Sequence, residues 1–230
     1  AAQASLSAWD AGTGTRLAAY KHAAGVSPGC LAVAGGRAGG GPGLLAVSGG
    51  AVHCWRWEAE QPYTRSFPPE PLAALCASPC GSLVAGGAAS GAAYLWEAPT
   101  GVLLKQWHAH YKAASAVCFS DDGSVLLTAG GDGACHAWPT ASLADAEADP
   151  REPPRALHSW AEHALPVSGL WVGHGGASAT VLTASTDRAL VAATLAGGAV
   201  LRNAHLPHAL TCVSADPAED RAFCGGADGP

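Results

Sequence analysis

The chain has 230 residues, 12 Lys and Arg against 18 Asp and Glu, a formal net charge of −6, and 30 glycines. Its length is enough to bury a large core, but only 13% of residues are charged, about half the usual share. Three lysines (Lys21, Lys105, Lys112) and nine scattered arginines form no cluster of the kind that neutralises nucleic-acid phosphates. Cysteines 30, 54, 76, 80, 118, 135, 212 and 224 contain no C-x-x-C pair and mostly sit in apolar strand patterns. They read as structural thiols of a reducing compartment rather than metal ligands or disulfides. The opening AAQASLSAWDAGTG has neither a basic region nor a long apolar core, so no secretory leader is expected. The uncharged stretches Pro71–Trp96 and Pro166–Thr186 are interrupted by Pro, Gly and Ser clusters and read as strands and turns, not membrane spans.

In chain order, tryptophan–acid pairs close apolar runs at Trp9-Asp10, Trp57-Glu58 and Trp96-Glu97, and Trp138-Pro139 is a variant. The steps of 48, 39 and 42 residues between these tryptophans are near the ~40–45 of a four-stranded propeller blade. SLSAW ends a first blade, with an outer strand near Arg16–Tyr20. A second blade takes Cys30–Ala34, Leu44–Ser48 and Val52–Trp57, with the flexible connection GGRAGGGPG between its first two strands. The third takes Leu72–Ala77, Leu83–Gly86 and Ala92–Trp96. In the fourth, period-2 alternation through Ala114–Ser120, an Asp121-Asp122-Gly123 turn, Val125–Ala129 and a Gly-Gly-Asp-Gly turn lead to Trp138. Residues 139–156, proline-rich and holding the acids of Asp145–Glu152, are expected to form a surface loop on the rim. Leu157–Trp160 resumes the outer strand, and Val167–Val172, Val181–Ala184 and Ala189–Thr194 build a fifth blade ending at Ala193. A sixth begins at Leu210–Ala215 and Arg221–Gly225 and reaches the Asp228-Gly229 turn before any Trp strand. With no methionine anywhere, residues 1–230 are expected to be one all-β piece of a larger ring.

Motifs for chemistry are missing. No lysine follows a glycine, so a phosphate loop is absent, as are H-E-x-x-H and G-x-S-x-G. His108-Ala109-His110 share a strand face but have no third ligand at suitable spacing. Either His205 or His208 could be the loop histidine of the sixth repeat. No catalytic, cofactor or metal residue is therefore assigned.

The stretch His110–Trp138 resembles one WD40 repeat, a family in which His, Ser or Thr, Asp and Trp form a hydrogen-bonded tetrad. The matching residues are His110, Thr128, Asp132 and Trp138, at offsets 0, 18, 22 and 28. A partial tetrad follows at His163, Thr183 and Asp187, with Ala193 in the Trp place, whereas blade three has Gly86 and Ser90 for its Thr and Asp. Asp132→Ala is thus expected to destabilise the fold and Ser90→Ala to do little. The resemblance implies a β-propeller of four-stranded antiparallel blades, here an incomplete part of a seven-bladed ring.

Further matches are Tyr94-Leu95-Trp96-Glu97 with Thr100-Gly101 and Leu103-Leu104, then His110-Tyr111, His163-Ala164-Leu165-Pro166-Val167 and Phe223-Cys224-Gly225-Gly226. Together these resemble the Ipi-type WD-repeat subunit of the complex that matures the large-ribosomal-subunit (pre-60S) precursor with the AAA ATPase midasin. That resemblance implies a non-catalytic nuclear scaffold that needs no cofactor. Its partners would be helical-repeat subunits, a midasin-type AAA ATPase and the pre-60S particle, in support of pre-rRNA spacer processing, with neither direct sequence-specific nucleic-acid binding nor a membrane. The competing readings are another WD40 adaptor, such as a ubiquitin-ligase substrate receptor, and a propeller enzyme. The latter would need inward-pointing acids or histidines where the strand starts here carry Ala, Leu, Val and Cys.

Overall fold

The computed structural model describes residues 6–23, 25–26, 28–33, 43–145 and 152–227. The chain forms consecutive antiparallel sheets, each a meander from an innermost to an outermost strand. Blade one contributes β1 (Leu6–Trp9) and β2 (Arg16–Tyr20). Blade two is β3 (Leu31–Val33), β4 (Leu44–Ser48), β5 (Ala51–Trp55) and β6 (Thr64–Ser66). Blade three is β7 (Leu72–Ala77), β8 (Leu83–Ala88), β9 (Ala92–Glu97) and β10 (Leu103–His108). Blade four is β11 (Ala114–Phe119), β12 (Val125–Gly130), β13 (Cys135–Pro139) and β14 (His158–Trp160). Blade five is β15 (Val167–Val172), β16 (Thr180–Ser185), β17 (Ala189–Thr194) and β18 (Val200–His205); β19 (Leu210–Ala215) and β20 (Ala222–Gly226) form a last two-stranded sheet. The sequence reading contains no strand at β6, β10 or β18. All six residues of β18 are exposed and the buried residues of β6 are the polar Thr64 and Ser66, so these strands lack the apolar alternation that identifies inner ones.

One expected landmark moves. In blade two Trp55, not Trp57, ends the third strand and pairs with Leu44, as Trp96 pairs with Val84 and Trp138 with Leu126. The cause is turn length: Ala46 and His53 pair across seven residues, whereas Gly86–Tyr94 and Thr128–His136 pair across eight. The shorter hairpin turns on Gly49 and Gly50, with φ of 59° and 79°, the two left-handed positions of a type I′ turn. This turn has no place for a tetrad Asp. Trp55 is fully buried and its indole N–H donates to the Lys21 carbonyl (3.2 Å). Trp57 and Glu58 lie in the next turn, with Trp57 half-exposed over Gly43.

Residues 139–156 also differ from a plain loop. Pro139 completes β13, and Thr140–Leu143 form a helical turn, α1, that buries Leu143 beside Trp138 and Phe119. Most of the acidic run, residues 146–151, lies outside the described residues, as do residues 34–42 of the glycine-rich connection and the Asp228-Gly229 turn. No described helix is long and apolar enough to cross a membrane. The eight cysteines are free, and burial pushes the Cys54 and Cys135 thiols up to about 12.

The core lies between neighbouring sheets: Leu45, Val52 and Cys54 of blade two meet Leu75, Val84 and Tyr94 of blade three, and Leu127 and Val125 of blade four meet Val167 and Val181 of blade five. Polar stitches run the same way. β7, β11, β15 and β19 each carry a bulge after their first residue. The bulged Ser115 hydroxyl lies between the Ala129 carbonyl of its own blade (3.2 Å) and Val167 of the next (2.5 Å). Ser168 repeats this with Ala184 (3.1 Å) and Leu210 (2.6 Å). At the outer rim, Ser66 donates to the Gly101 carbonyl (2.9 Å) of the following blade, and the Trp160 indole to that of Gly198 (2.8 Å).

The register gives a direct test by chemical denaturation. Trp55→Ala should cost about 3–5 kcal/mol, the range for emptying a buried aromatic site, and Trp57→Ala no more than about 1 kcal/mol. The reverse order would put the third strand of blade two back at Trp57.

Candidate functional site: histidine-centred networks on adjacent blades

In blade four the second strand places Thr128 opposite His136, the tight Gly131–Gly133 turn holds Asp132, and the loop leaving β10 brings in His110. The Trp138 indole N–H donates to Thr128 Oγ1 (3.0 Å), leaving the hydroxyl proton for His110 Nε2 (2.9 Å). His110 Nδ1–H then donates to Asp132 Oδ1 (3.1 Å). The other side of the carboxylate accepts the backbone N–H of Tyr111 (3.0 Å), and Ala134 N–H reaches Oδ1 (3.2 Å). Each donor is matched, which fixes the neutral Nδ1–H tautomer of His110. Burial holds the His110 pKa below its ordinary value despite the neighbouring carboxylate. Asp132 also lies below its ordinary value: burial would raise it, but the Tyr111 and Ala134 amides and His110 together outweigh that.

Packing keeps this relay in place. The Trp107 indole from β10 meets Trp138 edge-on at 5.7 Å, as Tyr20 meets Trp55 at 5.8 Å. Gly133 has φ of 81°, and a Cβ there would lie 2.3 Å from the His163 carbonyl, so only glycine lets the next loop approach. Arg188, with φ of 72°, takes the corresponding turn position in blade five.

Blade five brings together His163, Thr183 and Asp187: Nε2 to Thr183 Oγ1 is 2.8 Å, Nδ1 to Asp187 Oδ2 3.3 Å, and Ala164 N–H donates to the same carboxylate (2.9 Å). Ala193 pairs with Val181, the register position of Trp138 in blade four, yet the gap is closed. Trp160 of β14 is the counterpart of Trp107, since both lie opposite the third strand three residues before its Trp position. It packs with Ala193 and Val181 and sends its N–H to the Gly198 carbonyl (2.8 Å). Trp107 Nε1, crowded by Trp138, has no partner among the described residues. The space left around Trp160, Thr183 and Ala193 is about 10 Å³, no more than one water requires.

Blade three has its own arrangement, which sequence reasoning missed. Gly86 leaves no hydroxyl, and a Cβ there would meet Leu72 at 2.9 Å. Ser90 Oγ and Tyr94 OH instead both donate to Glu70 Oε1 (2.7 Å each), and these two bonds hold the Glu70 pKa below its ordinary value. The sequence marks only the ring of this network: His53, Tyr94 and His136 each stand two residues before the buried Trp. His53 stacks on Trp55 at 5.4 Å and Tyr94 on Trp96 at 5.5 Å. The acids after the tryptophans serve the next turn. Asp10 Oδ1 accepts the Gly12 and Thr13 amides (2.7 and 3.0 Å) and Glu97 Oε2 the Thr100 hydroxyl (2.5 Å). Trp96 is buried, while Trp9 on two-stranded blade one is 62% exposed.

Both nitrogens of His110 and of His163 are engaged within the protein, and neither histidine faces an activated serine. Among the described residues no three His, Cys, Asp or Glu side chains are grouped to hold a metal. The arrangement suits holding a shape rather than transferring protons to a ligand.

In thermal and chemical denaturation Asp132→Ala should cost about 1–3 kcal/mol, the penalty for a buried donor left unpaired. Ser90→Ala should cost less, because Glu70 keeps Tyr94; equal losses would contradict the different burial of the two networks. Ala193→Trp, which completes the fifth tetrad on paper, should destabilise by about 1–3 kcal/mol through overpacking, and adding Trp160→Ala should recover part of that. Burial lowers the pKa of His53, His110 and His136 in the folded state, so their contribution is present above about 6.5, the unfolded value. It is lost as pH falls through the folded values. The melting temperature should therefore drop between about pH 7 and 5, and a rise over that window would contradict neutral, buried imidazoles.

Comparison with known proteins places this geometry. A family model described as "WD domain, G-beta repeat" matches residues 101–139, from β10 through β13. Protein ROOT INITIATION DEFECTIVE 3 of Arabidopsis thaliana is 30% identical over 97% of this chain and 51% of its own length. WD repeat-containing protein 18 of Rattus norvegicus is 37% identical over 70% of the chain and 37% of its own. Pre-rRNA-processing protein IPI3 of Meyerozyma guilliermondii is 30% identical over 77% of the chain and 43% of its own. The chain thus spans about half or less of the length of these relatives. Among solved structures, the computationally designed Ika8 protein superimposes over the whole chain and 64% of its own, with a TM-score of 0.75 at 20% identity, a likeness of fold alone. With its repeat model, its sheet order and these relatives in agreement, the chain belongs to the WD40-repeat family, in the Ipi-type group that includes WD repeat-containing protein 18 and the IPI3 pre-rRNA-processing proteins.

Proposed function

We propose that this chain is a single propeller segment of a non-catalytic scaffold, a subunit of the complex that matures pre-60S particles and supports pre-rRNA spacer processing in the nucleus. The observation that carries this reading is the match over 77% of the chain to a protein named for pre-rRNA processing. The geometry supports it, since the histidines, acids and hydroxyls that could do chemistry are engaged in holding blades together. The His110 network serves as a structural tetrad and the His163 network as a partial one. The partners are helical-repeat subunits of the same complex, a midasin-type AAA ATPase and the pre-60S particle, met through protein surfaces. A net charge of −6 leaves little drive for direct, sequence-independent RNA contact.

The test is affinity purification of the tagged full-length protein from growing cells, with the eluate probed for helical-repeat partners, a midasin-type ATPase and large-subunit precursor RNA. Co-recovery of all three is expected. Their absence together with a cullin adaptor would assign the propeller to ubiquitin-ligase substrate reception instead.

A further inference from the structure

Among the described residues, Ser7, Ser142 and Ser159 stand three positions before a carboxylate, at Asp10, Asp145 and Glu162. Acid-directed protein kinases read that spacing, their basic side chains meeting an acid downstream of the acceptor hydroxyl. The fold separates the three serines. Ser7 lies within β1, paired with Ala19. Ser159 lies within β14, paired with His136 and 2.8 Å from its Nδ1. An acceptor must reach a kinase cleft on chain that is free to extend, and neither strand can do so without leaving its sheet. Ser142 belongs to no sheet. It is exposed on the helical turn α1, and its Asp145 begins the acidic run Asp145–Glu152. Nearby Thr140 and Ser120 are excluded by burial, being 7% and 0% exposed.

α1 is also the least secured element around blade four. It has four residues, no side chain caps its N-terminus, and the Ala144 N–H donates to the Thr140 carbonyl (3.0 Å). Thr140 Oγ1 is buried without a hydrogen-bond partner, which disfavours the closed turn. Leu143 holds the turn down, 1% exposed beside Trp138 and Phe119. The Ser142 hydroxyl adds one bond, donated to the Pro139 carbonyl (3.0 Å).

We propose that Ser142 is a phosphorylation site for an acid-directed serine/threonine kinase, and that the phosphate opens α1. The γ-phosphoryl group of ATP passes to Ser142 Oγ. The bond to the β,γ-bridging oxygen breaks, ADP leaves with that electron pair, and the serine proton goes to the catalytic carboxylate of the kinase. The phosphorylated Oγ has no proton to give to the Pro139 carbonyl. It carries a charge of about −1.5 to −2 in the same turn as Asp145, and like charges at that spacing oppose a helix. Leu143 is then released from Trp138 and Phe119, and the rim of blade four presents a leucine beside a phosphate. This regulation goes beyond the scaffold reading and does not depend on it.

The test incubates the full-length protein with Mg–ATP and a purified acid-directed kinase, followed by peptide mapping and amide hydrogen exchange. Phosphate is expected on the tryptic peptide Ala113–Arg151, assigned to Ser142 by fragmentation. Ser142→Ala should abolish that label, Ser142→Thr should keep part of it, and Asp145→Asn should slow labelling by about tenfold. A kinase directed by basic residues should leave this peptide unlabelled. Exchange across residues 140–145, which include the Ala144 amide, should quicken by about tenfold on phosphorylation, and Ser142→Ala treated in parallel should not change. No label on this peptide, label on Ser120 or Ser124 instead, an undiminished rate in Asp145→Asn, or equal labelling by the basic-directed kinase would each overturn the site. Unchanged exchange after full labelling would overturn the opening of α1.

Discussion

A threonine hydroxyl with no exposed surface carries much of the order in this chain. Thr128 lies in the centre of blade four, where an unpaired polar group costs about 1–3 kcal/mol. It avoids that cost by taking an N–H from Trp138 and giving its own proton to His110. Satisfying Thr128 thereby orients the indole that fills the blade and the imidazole that pins Asp132, and Asp132 then fixes the Tyr111 loop. One buried hydroxyl couples the interior of the sheet to the shape of the surface above it. A valine of the same size would keep the packing and lose the relay.

Around that relay the blades are joined in one direction. Bulged serines on the innermost strands and donors on the outermost strands reach forward to carbonyls of the following sheet, and aromatic side chains on outer strands cover the tryptophan of the next blade. Each sheet is small, with apolar faces buried against its neighbours, so stability is shared along the row.

How much of this was legible in the sequence depends on what each residue reports. Apolar patterning located β4, β7, β11, β15 and β19 to within a residue or two. The offsets from His110 to Trp138 named the residues that meet in blade four, since a fixed strand and turn length turns spacing into distance. The same logic misplaced blade two: a turn one residue shorter moved the buried indole to Trp55, and Trp57-Glu58 imitated the expected pair. The Glu70–Ser90–Tyr94 network was hidden because Glu70 comes from a loop twenty residues before Ser90, with no family spacing to mark it. Outer strands such as β18 gave no signal, having little surface to bury.

Trp160 has a consequence for how such a chain can change over time. Its indole belongs by sequence to the fourth repeat and by packing to the fifth, where Ala193 has given up the space. A repeat that looks degenerate when read alone has its packing filled when read with its predecessor, although Thr183 gains no indole donor. Positions 160 and 193 therefore share one volume, which Trp160 fills here, whereas Trp107 and Trp138 at the corresponding positions one blade earlier meet edge-on. Drift at one is tolerated only with an answering change at the other, so the pair of blades, rather than the single repeat, is the piece that can be duplicated or exchanged without loss.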